Sequence, residues 1–564
     1  MDQFIDEIIR YIKTKKPGKI KLSQYKAKLS KKYKLLKIPT DIEILLNSPI
    51  KDVDKVWKYL ATKPTRTISG VAVCAIMTKP GKCPHVKSGI GPCLMCPGGP
   101  GSVFGNVPQS YTGKEPATRR AIRNNYDPYF QVMNRLEQYI VQGHIPDKLE
   151  LIIMGGTFIS CIQKYQEDFV KYAFCAMNDF SNMFFVKNKL DIVKFKNFFE
   201  LPGDINSLDR LEKVRSKIQK LKNKQISLIT EQKKNEKSFI RCVSLVIETR
   251  PDYANLKYAN QMLKLGCTKV ELGVQTIYDD VLKTIRRGHT VQDSVNSTKI
   301  LKDLGFKINY HIMPGLPGVD KKKDIMAFQA LFAYEDFRPD MLKLYPCMVL
   351  KGTKLYGLWK KKKYKPLTTK KAALLIAEFK RYVPKYCRIM RVQRDIPSFV
   401  IEAGVDKTNL RQYVSKILTE KKIKCDCIRC REPKLTRVSN KIILSELHYI
   451  ASEGNEFFIC AEDVKNNLIL GFCRLRFPSD TLRKEITGDS ALIRELHVYG
   501  ASVQIGKKGK VQHKGIGKAL VERAEQTAKT YNKDKVVVIS GVGAREYFRK
   551  IGYKKEGPYM VKLL

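Results

Sequence analysis

Short apolar runs alternate with amphipathic stretches through the middle of the chain. An apolar run that ends in glycine or polar residues predicts a buried strand, and apolar residues every three or four positions predict a helix. This alternation indicates an α/β fold with a parallel sheet or barrel, in which the chemistry lies at the carboxyl ends of the strands. Strands are predicted at 71–77, 151–154, 244–247, 269–272, 307–311 and 341–345, with helices at 279–286 and 293–304.

The first 65 residues are rich in lysine and helical in spacing. Lysines follow one another densely between Lys13 and Lys34. We expect a small basic helical region that binds nucleic-acid phosphates, although a solvated helical cap would have the same composition. The apolar residues at helical spacing are Phe4, Ile5, Ile8, Ile9 and Ile12.

An insertion at about 186–240 interrupts the order of strands and helices. Leu211, Val214 and Ile218 follow a three-four spacing among many lysines. This pattern predicts an exposed amphipathic helix that packs on the barrel. RNA contact is the less favoured role for this helix.

A second α/β unit follows after about residue 435. Its predicted strands lie at 457–461, 468–475, 494–499 and 536–540, with a loop and helix at 512–529. About 130 residues is an ordinary domain size. The predicted division is a helical region (1–65), a barrel domain (66–385), a linker (386–435) and a second α/β domain (436–564).

Charge and cysteine content narrow the class of function. The 564 residues include 105 Lys+Arg and 55 Asp+Glu, a formal net charge of +50, which attracts polyanions and nucleic acid first. A hydrophobic content of 43% excludes global disorder. Because no apolar run reaches 18 residues, we expect no membrane span. Fifteen cysteines, several of them clustered, without a signal peptide indicate metal binding in a reducing cytoplasm.

Cys83, Cys93 and Cys96 form a C-x9-C-x2-C pattern on a glycine-rich loop after the first barrel strand. Three thiolates suit soft metals. Zinc requires a fourth ligand, which His85 could supply, whereas an ordinary electron-transfer cluster takes four cysteines. The interpretation that we favour is a [4Fe–4S] cluster whose open iron binds S-adenosylmethionine (SAM) and cleaves it to a 5′-deoxyadenosyl radical.

Residues at later strand ends favour the cluster. Gly155 and Gly156 end one strand and leave backbone groups exposed, and Glu248 and Gln275 end two others with polar side chains. Each signal alone is weak, because glycine after a strand is usually a turn. Together they predict a pocket for SAM at one edge of the barrel.

The C-terminal domain carries a glycine motif at the start of a predicted helix. Its glycines let backbone N–H groups approach a pyrophosphate, an anion that a helix N-terminus also favours. With Tyr547 downstream, the order of elements resembles the GNAT acetyltransferase fold and implies acetyl-CoA binding, and an unrelated αβ unit is the alternative. The motif runs Gln512, His513, Lys514, Gly515, Ile516, Gly517.

A radical SAM module joined to an acetyl-CoA module resembles the Elongator catalytic-subunit family. This resemblance implies that the deoxyadenosyl radical abstracts a methyl hydrogen of acetyl-CoA, and that the carbon radical adds to carbon 5 of the wobble uridine. Oxidation of the adduct and thioester hydrolysis then leave a carboxymethyl group. The segments that carry the resemblance are 79–85, 96–100, 109–113, 115–116, 154–158, 247–253, 287–289, 343–346, 391–397, 494–500 and 539–543.

The family resemblance also implies partners and residue roles. The partner is the tRNA anticodon stem-loop, in an assembly with Elongator-type subunits or a second copy. Lys79 joins the strand-end residues at SAM, and Tyr547 is either an acid beside the thioester or a packing residue. The residues implied at acetyl-CoA, besides the glycine motif, are Glu495, Leu496, His497 and Val498.

Cysteines in the linker form a second group. Cys425, Cys427 and Cys430 give C-x-C-x2-C, which resembles the zinc-binding linker of archaeal and bacterial family members. A closed zinc site requires a fourth ligand. Cys387 is the first candidate and His448 the second, although Cys387 could equally be a buried apolar thiol.

Two other functions remain open from the sequence. A protein lysine acetyltransferase could use the cluster structurally, and would then not need SAM. A non-catalytic RNA-binding scaffold is disfavoured by the complete cysteine triad and the intact glycine motif.

Overall fold

The computed structural model describes residues 1–62, 70–204, 207–222, 225–433, 436, 438–439, 441–500 and 515–564. Its N-terminal part is helical, as the spacing predicted, and the five predicted apolar residues are all buried in a small core. Part of the lysine series is neutralised within this region, since Lys13, Lys19 and Lys32 form ion pairs with acidic side chains. The helices are α1 (Asp2–Lys15), α2 (Lys19–Lys32), α3 (Asp41–Asn47) and α4 (Ile50–Leu60).

A seven-stranded parallel sheet curved into a half-barrel forms the centre of the molecule, in the order β1-β2-β5-β6-β7-β8-β10. All six predicted strands are present, and β10 was missed because its run of four residues is short and basic. The strands are β1 (Ala72–Met77), β2 (Lys148–Met154), β3 (Phe185–Val186), β4 (Lys189–Leu190), β5 (Arg241–Thr249), β6 (Cys267–Gln275), β7 (Lys307–Ile312), β8 (Met341–Leu344), β9 (Val349–Leu350), β10 (Arg388–Arg391) and β11 (Ile401–Ala403).

Helices cover the outer face of the half-barrel, because alternate residues of each strand are apolar and point outward. On β6, for example, Val270 and Leu272 join the main core. The helices are α5 (Pro84–Lys87), α6 (Pro116–Arg123), α7 (Pro128–Val141), α8 (Gln163–Phe184), α9 (Ile192–Phe198), α10 (Leu208–Lys222), α11 (Leu228–Asn235), α12 (Leu256–Leu265), α13 (Asp279–Thr284), α14 (Val291–Asp303), α15 (Lys321–Ala333), α16 (Lys354–Lys360), α17 (Thr369–Phe379), α18 (Leu410–Glu420) and α19 (Ile428–Arg431).

The insertion is more elaborate than one amphipathic helix. It contains the β3–β4 hairpin and three helices, α9 to α11. The predicted helix is α10, and it buries Val214 and Ile218 against α7 and α8. Packing, the favoured role, is therefore confirmed for this helix.

The C-terminal domain is a second seven-stranded sheet, in the order β12-β13-β14-β15-β16-β18-β17. Its two central strands are parallel and paired from Ser490 to Ile493, after which β15 continues without β16. The strands therefore diverge beyond Ile493. The elements are β12 (Ile443–Ala451), β13 (Gly454–Asp463), β14 (Leu468–Phe477), β15 (Ser490–Val498), α20 (Ile516–Thr530), β16 (Lys535–Val538), α21 (Arg545–Lys550), β17 (Lys554–Glu556) and β18 (Tyr559–Leu563).

Buried ion pairs join the two sheets. Arg494 of β15 donates to Asp340, just before β8, at 2.6 Å, and Arg476 of β14 donates to Asp303, at the end of α14, at 2.6 Å. All four side chains are fully buried. Both aspartates lie at the amino ends of barrel strands, so the C-terminal domain covers the amino-terminal edge of the half-barrel.

No helix within the described ranges combines the length and the apolarity needed to cross a bilayer.

We predict that Asp340→Asn destabilises the protein by about 3–5 kcal/mol, because it leaves the buried charge of Arg494 incompletely paired. The midpoint of thermal unfolding should fall clearly. Glu420→Gln is the matched control, since Glu420 forms an exposed pair with Lys416 at 3.7 Å and should leave the midpoint almost unchanged. Equal midpoints for the two variants would contradict an essential interface pair.

Candidate active site

The three-cysteine loop follows β1 and lies at the carboxyl edge of the half-barrel. All three cysteines are half-buried. They do not belong to the described groups whose ligand atoms all lie within 4.8 Å of one another. Sulfurs on one zinc ion lie about 3.8 Å apart, from the Zn–S length and tetrahedral geometry. A cubane cluster attaches its cysteines to different irons and needs wider spacing, so the three sulfurs are not drawn together as one zinc ion would require.

Hydrogen-bond donors point at two of the sulfurs. Gln109 Nε2 lies 3.0 Å from Cys96 Sγ, and Arg287 Nη1 lies 3.7 Å from Cys93 Sγ. Burial raises the pKa of the Cys96 thiol. Donors to sulfur are a protein's usual means of stabilising a cluster and tuning its potential.

His85, the alternative zinc ligand, is engaged elsewhere. Its Nδ1 lies 2.8 Å from Arg250 Nη1; because guanidinium only donates, Nδ1 is the acceptor. Burial, with Arg250 and Arg287 nearby, lowers the pKa of His85 to about 3. Gly288 has a φ of 72°, and a Cβ there would come within 2.8 Å of the His85 ring. These contacts hold His85 as a structural residue behind the loop.

The strand-end residues predicted at SAM converge on the same edge. Gly156 has a φ of 69°, and a Cβ there would lie 3.5 Å from Gln109, the residue that contacts Cys96. Glu248 accepts from Tyr111 Oη at 3.0 Å. Gln275 has a φ of 71°, and its side chain lies beside Gly273, whose carbonyl accepts from Arg287 at 2.8 Å.

Gly155 and Lys79, which were also predicted at SAM, lie in different surroundings. A Cβ on Gly155 would collide with Thr78 Oγ1, so glycine is required where β2 passes the residue after β1. Lys79 is exposed and lines a separate cavity on the outside of the barrel, and its backbone N–H donates to Tyr165 Oη at 3.2 Å.

A charged cluster on the inner face of the barrel was not predicted. His311 Nε2 lies 2.8 Å from Glu271 Oε2, and Lys343 binds both Glu271 and Glu248, the latter at 3.3 Å. Lys343 holds the pKa of the buried Glu271 well below its usual range. Alternation along the strands could have predicted this cluster from the sequence. Glu271, His311 and Lys343 occupy the positions of their strands that face away from the helices.

In the C-terminal domain, Val498, Gly517 and Tyr547 come together where β15 diverges from β16. A Cβ on Gly517 would lie 3.1 Å from Tyr547 Oη and 3.6 Å from Val498. Gly515 caps α20 with a φ of 83°, and burial raises the pKa of Tyr547 to about 12. Gln512, His513 and Lys514 lie outside the described residues.

The other residues predicted at acetyl-CoA line the diverging half of β15. Glu495 accepts from Arg474 at 2.9 Å, so its carboxylate is neutralised. His497 stacks on Phe472 and Tyr499, and burial lowers its pKa. Leu496 packs against the core between the sheet and α20.

The linker cysteines form a tight group. The sulfurs of Cys425, Cys427 and Cys430 all lie within 4.8 Å of one another. Neither candidate fourth ligand joins them within that distance. Instead Lys380 Nζ lies 3.4 Å from Cys430 Sγ and 3.7 Å from Cys427 Sγ.

Comparison with known proteins gives matches along the whole chain. Family models match the ELP3 N-terminal domain at 1–68, the Radical SAM superfamily at 119–329, the Radical_SAM C-terminal domain at 339–420 and the acetyltransferase (GNAT) domain at 482–562. The chain is 43% identical to a tRNA uridine(34) acetyltransferase of Methanocaldococcus jannaschii, over 100% of this chain and 97% of that protein. It is 38% identical to Elongator complex protein 3 of Homo sapiens, over 99% and 96%.

The chain belongs to the Elongator complex protein 3 family. A solved structure of this family, archaeal Methanocaldococcus infernus Elp3 with an N-terminal deletion (1-46), superposes with a TM-score of 0.71 at 39% identity, covering 88% of this chain and 100% of that one. The radical SAM domain implies a four-iron cluster and SAM, and the GNAT domain implies acetyl-CoA. The radical SAM match begins downstream of Cys83, Cys93 and Cys96, so their roles rest on the loop itself.

We predict that Glu271→Gln destabilises this family member in a pH-dependent way. A carboxylate with a lowered pKa in the fold stabilises the protein above its unfolded pKa of 4.5, and that contribution is lost as the pH falls below it. At pH 7 the variant should lose about 3 kcal/mol, because Lys343 keeps Glu248 as a partner.

The measurement is urea unfolding from pH 7 down to pH 3.5. The difference between wild type and Glu271→Gln should narrow toward pH 3.5, because Glu271 becomes protonated in the unfolded chain while it is still ionised in the fold, where its pKa is lowered. Glu402→Gln, at an exposed position, is the control and should match wild type throughout. A difference that stays constant with pH would show that Glu271 is not the buried carboxylate described here.

Proposed function

We propose that this protein is a radical enzyme that adds a carboxymethyl group to carbon 5 of the wobble uridine in tRNA, using SAM and acetyl-CoA. The observation that carries the proposal is the convergence of the cysteine loop, Gly156, Glu248 and Gln275 on one barrel edge, in a chain that also holds a GNAT domain. The relatives named tRNA uridine(34) acetyltransferase and Elongator complex protein 3 support it.

A cluster held by Cys83, Cys93 and Cys96 would supply the electron that cleaves SAM to the 5′-deoxyadenosyl radical. Arg287 places positive charge beside Cys93, and Gln109 donates to Cys96. Glu248, fixed by Tyr111 and Lys343, offers carboxylate oxygens to ribose hydroxyls. The backbone groups around Gly155 and Gly156 are open to the charged end of an amino acid.

The diverging half of β15 is the proposed acetyl-CoA site. β15 continues beyond its pairing with β16 at Ile493, so the opening between the two strands can admit the pantetheine arm, and the N-terminus of α20 favours the pyrophosphate. Tyr547 stays protonated at neutral pH, since its pKa is raised to about 12. Its hydroxyl can therefore donate a proton to a departing thiolate when the thioester is hydrolysed.

The test mixes anaerobically reconstituted protein with reductant, SAM, methyl-labelled acetyl-CoA and anticodon stem-loop RNA. We expect deoxyadenosine and label on the uridine. Cys93→Ala should abolish both products while the C-terminal domain still binds acetyl-CoA. Cys161→Ala, an exposed cysteine outside the loop, is the matched control and should keep both.

Two results would overturn the proposal. One is SAM cleavage by Cys93→Ala, which would remove the cluster assignment. The other is unlabelled RNA together with acetylated peptide under verified reducing conditions, which would establish the protein acetyltransferase instead.

We also propose that Cys425, Cys427 and Cys430 hold zinc. Their spacing fits one tetrahedral ion, and the Lys380 ammonium favours thiolates. Cys387 lies outside the group, and its carbonyl accepts from Ile428 N at 3.0 Å. His448 is exposed on β12 and contacts Asn455 at 2.9 Å. The fourth coordination position is therefore assigned to neither.

The zinc content of the protein tests whether the three linker cysteines bind zinc and whether Cys387 is the fourth ligand. Elemental analysis of purified protein should give about one zinc per chain, lost in Cys427→Ala because three thiolates are the core of the site. Cys387→Ala is the matched control and should retain zinc. Loss of zinc in Cys387→Ala would restore Cys387 as the fourth ligand.

A further inference from the structure

A cavity of about 510 Å³ lies on the outside of the barrel between α7, α8 and α10. Its volume is in the range of ordinary ligand sites, about 300–1,000 Å³. None of the roles proposed above for SAM, acetyl-CoA or zinc uses it. It includes Arg215 of the lysine-rich insertion and Lys79, so it joins two sequence features that the cofactor sites leave unexplained.

Aromatic rings form the walls of this cavity. Tyr126, Phe130, Tyr165 and Tyr172 are all half-buried, so each keeps part of its ring accessible, and Phe169 is buried behind them. A wall of this kind offers flat faces to a flat ligand. Base–aromatic stacking uses such faces without regard to base identity.

The charges around the cavity favour an anionic ligand. The two acidic residues in the wall are already neutralised, since Asp127 pairs with Lys222 and Asp168 pairs with Lys171 at 2.6 Å. Both lysines also lie 4.7 Å from the centre of the Tyr172 ring. Lys79 and Arg215 add two further cations, so the rim is positive around an aromatic interior.

The cavity opens at the same edge of the molecule as the cysteine loop. Helices α7 and α8 run antiparallel to the strands, so their first turns lie at the carboxyl edge, and Phe130 and Tyr165 belong to those turns. Lys79 is four residues before Cys83. An RNA strand that places one nucleotide in the active site can therefore place another nucleotide in this cavity.

We propose that this cavity binds an unpaired nucleobase of the RNA substrate, stacked on Tyr172 and its neighbours, while Lys79 and Arg215 bind the flanking phosphates. The proposal rests on the proposed function for its choice of RNA. An apolar occupant would not require the positive rim. The adenine of SAM is expected on the inner side of the barrel near Glu248, whereas this cavity lies among the outer helices.

Binding of an anticodon stem-loop RNA is measured by fluorescence anisotropy without SAM or acetyl-CoA. Tyr172→Ala should weaken binding about 5- to 150-fold, the range for loss of one stacked base. Tyr172→Phe keeps the ring and should bind like wild type. Tyr334→Ala removes a tyrosine that is 61% exposed just after the end of α15 and is the matched control, with unchanged binding expected.

A second experiment uses stem-loop RNAs from which single bases of the RNA loop have been removed. One loop position, distinct from the wobble uridine, should weaken wild-type binding when its base is removed. The same substitution should have no further effect on Tyr172→Ala, because the two changes remove one contact. An abasic penalty that persists in Tyr172→Ala, or no penalty at any other loop position, would overturn the proposal.

The remaining outcomes separate this subsite from the proposed function. If wild type and Tyr172→Ala bind the RNA equally well, the subsite is rejected and the proposed function is not affected. If wild type does not bind the stem-loop, both are wrong. Binding of adenosine monophosphate that depends on Tyr172, with RNA binding that does not, would make the cavity a free-nucleotide site and would reject RNA as the source.

Discussion

Buried arginine–aspartate pairs between the two sheets are the constraint on which the architecture depends. A guanidinium taken out of water is tolerated only where carboxylates and carbonyls satisfy it. Asp303 shows how complete this satisfaction is, since it accepts from Arg476 and also from the backbone and hydroxyl of Ser479. An alternative packing of the two domains would leave these charges buried and unpaired. The network therefore favours one relative orientation of barrel and acetyltransferase sheet.

The residues of β14 alternate between two buried faces, one against α20 and the other against the barrel. Cys473 and Leu475 face α20 and belong to the apolar core of the C-terminal domain. Arg474 and Arg476, on the opposite face, reach the barrel: Arg474 donates to the carbonyl of Tyr386 at 2.7 Å. Both faces are buried, and they differ in chemistry because one meets a helix and the other meets the polar amino ends of strands. Period-two alternation thus separates an internal core from a domain interface.

Local pattern predicted the strands, the helix of the glycine motif and the loop with three cysteines, because each depends on neighbouring residues. Local pattern could not predict contacts between residues that are distant in the chain. Arg494 and Asp340 are 154 residues apart, and nothing in either segment indicates the other. The same limit applies to the fourth ligand of the linker cysteines, because Cys387 was the first candidate and its thiol lies outside the group of Cys425, Cys427 and Cys430. Lys79 stands before the cysteine loop in sequence but lines the outer cavity in space.

The interior of the half-barrel separates the two cofactor regions. The cysteine loop lies at the carboxyl ends of the strands, whereas Arg494, at the start of the diverging half of β15, reaches the carbonyl of Phe306, just before β7, at 2.7 Å. A six-residue strand such as β7 spans roughly 20 Å. The proposed reaction, which uses both cofactors, would carry the acetyl group over a distance of that order. The inner face of the half-barrel lies between the two proposed regions.

That inner face is charged along its length, unlike the apolar filling of a closed barrel. Near the amino ends Lys269 pairs with Glu150 at 2.8 Å, and near the carboxyl ends Lys343 pairs with Glu271. Between these pairs Asn309 is fully buried, and its amide has no hydrogen-bond partner among the described residues. Buried polar groups are almost always satisfied, so the orphaned amide of Asn309 indicates a place for a water molecule. The inner face of the half-barrel is thus polar from its amino edge to its carboxyl edge.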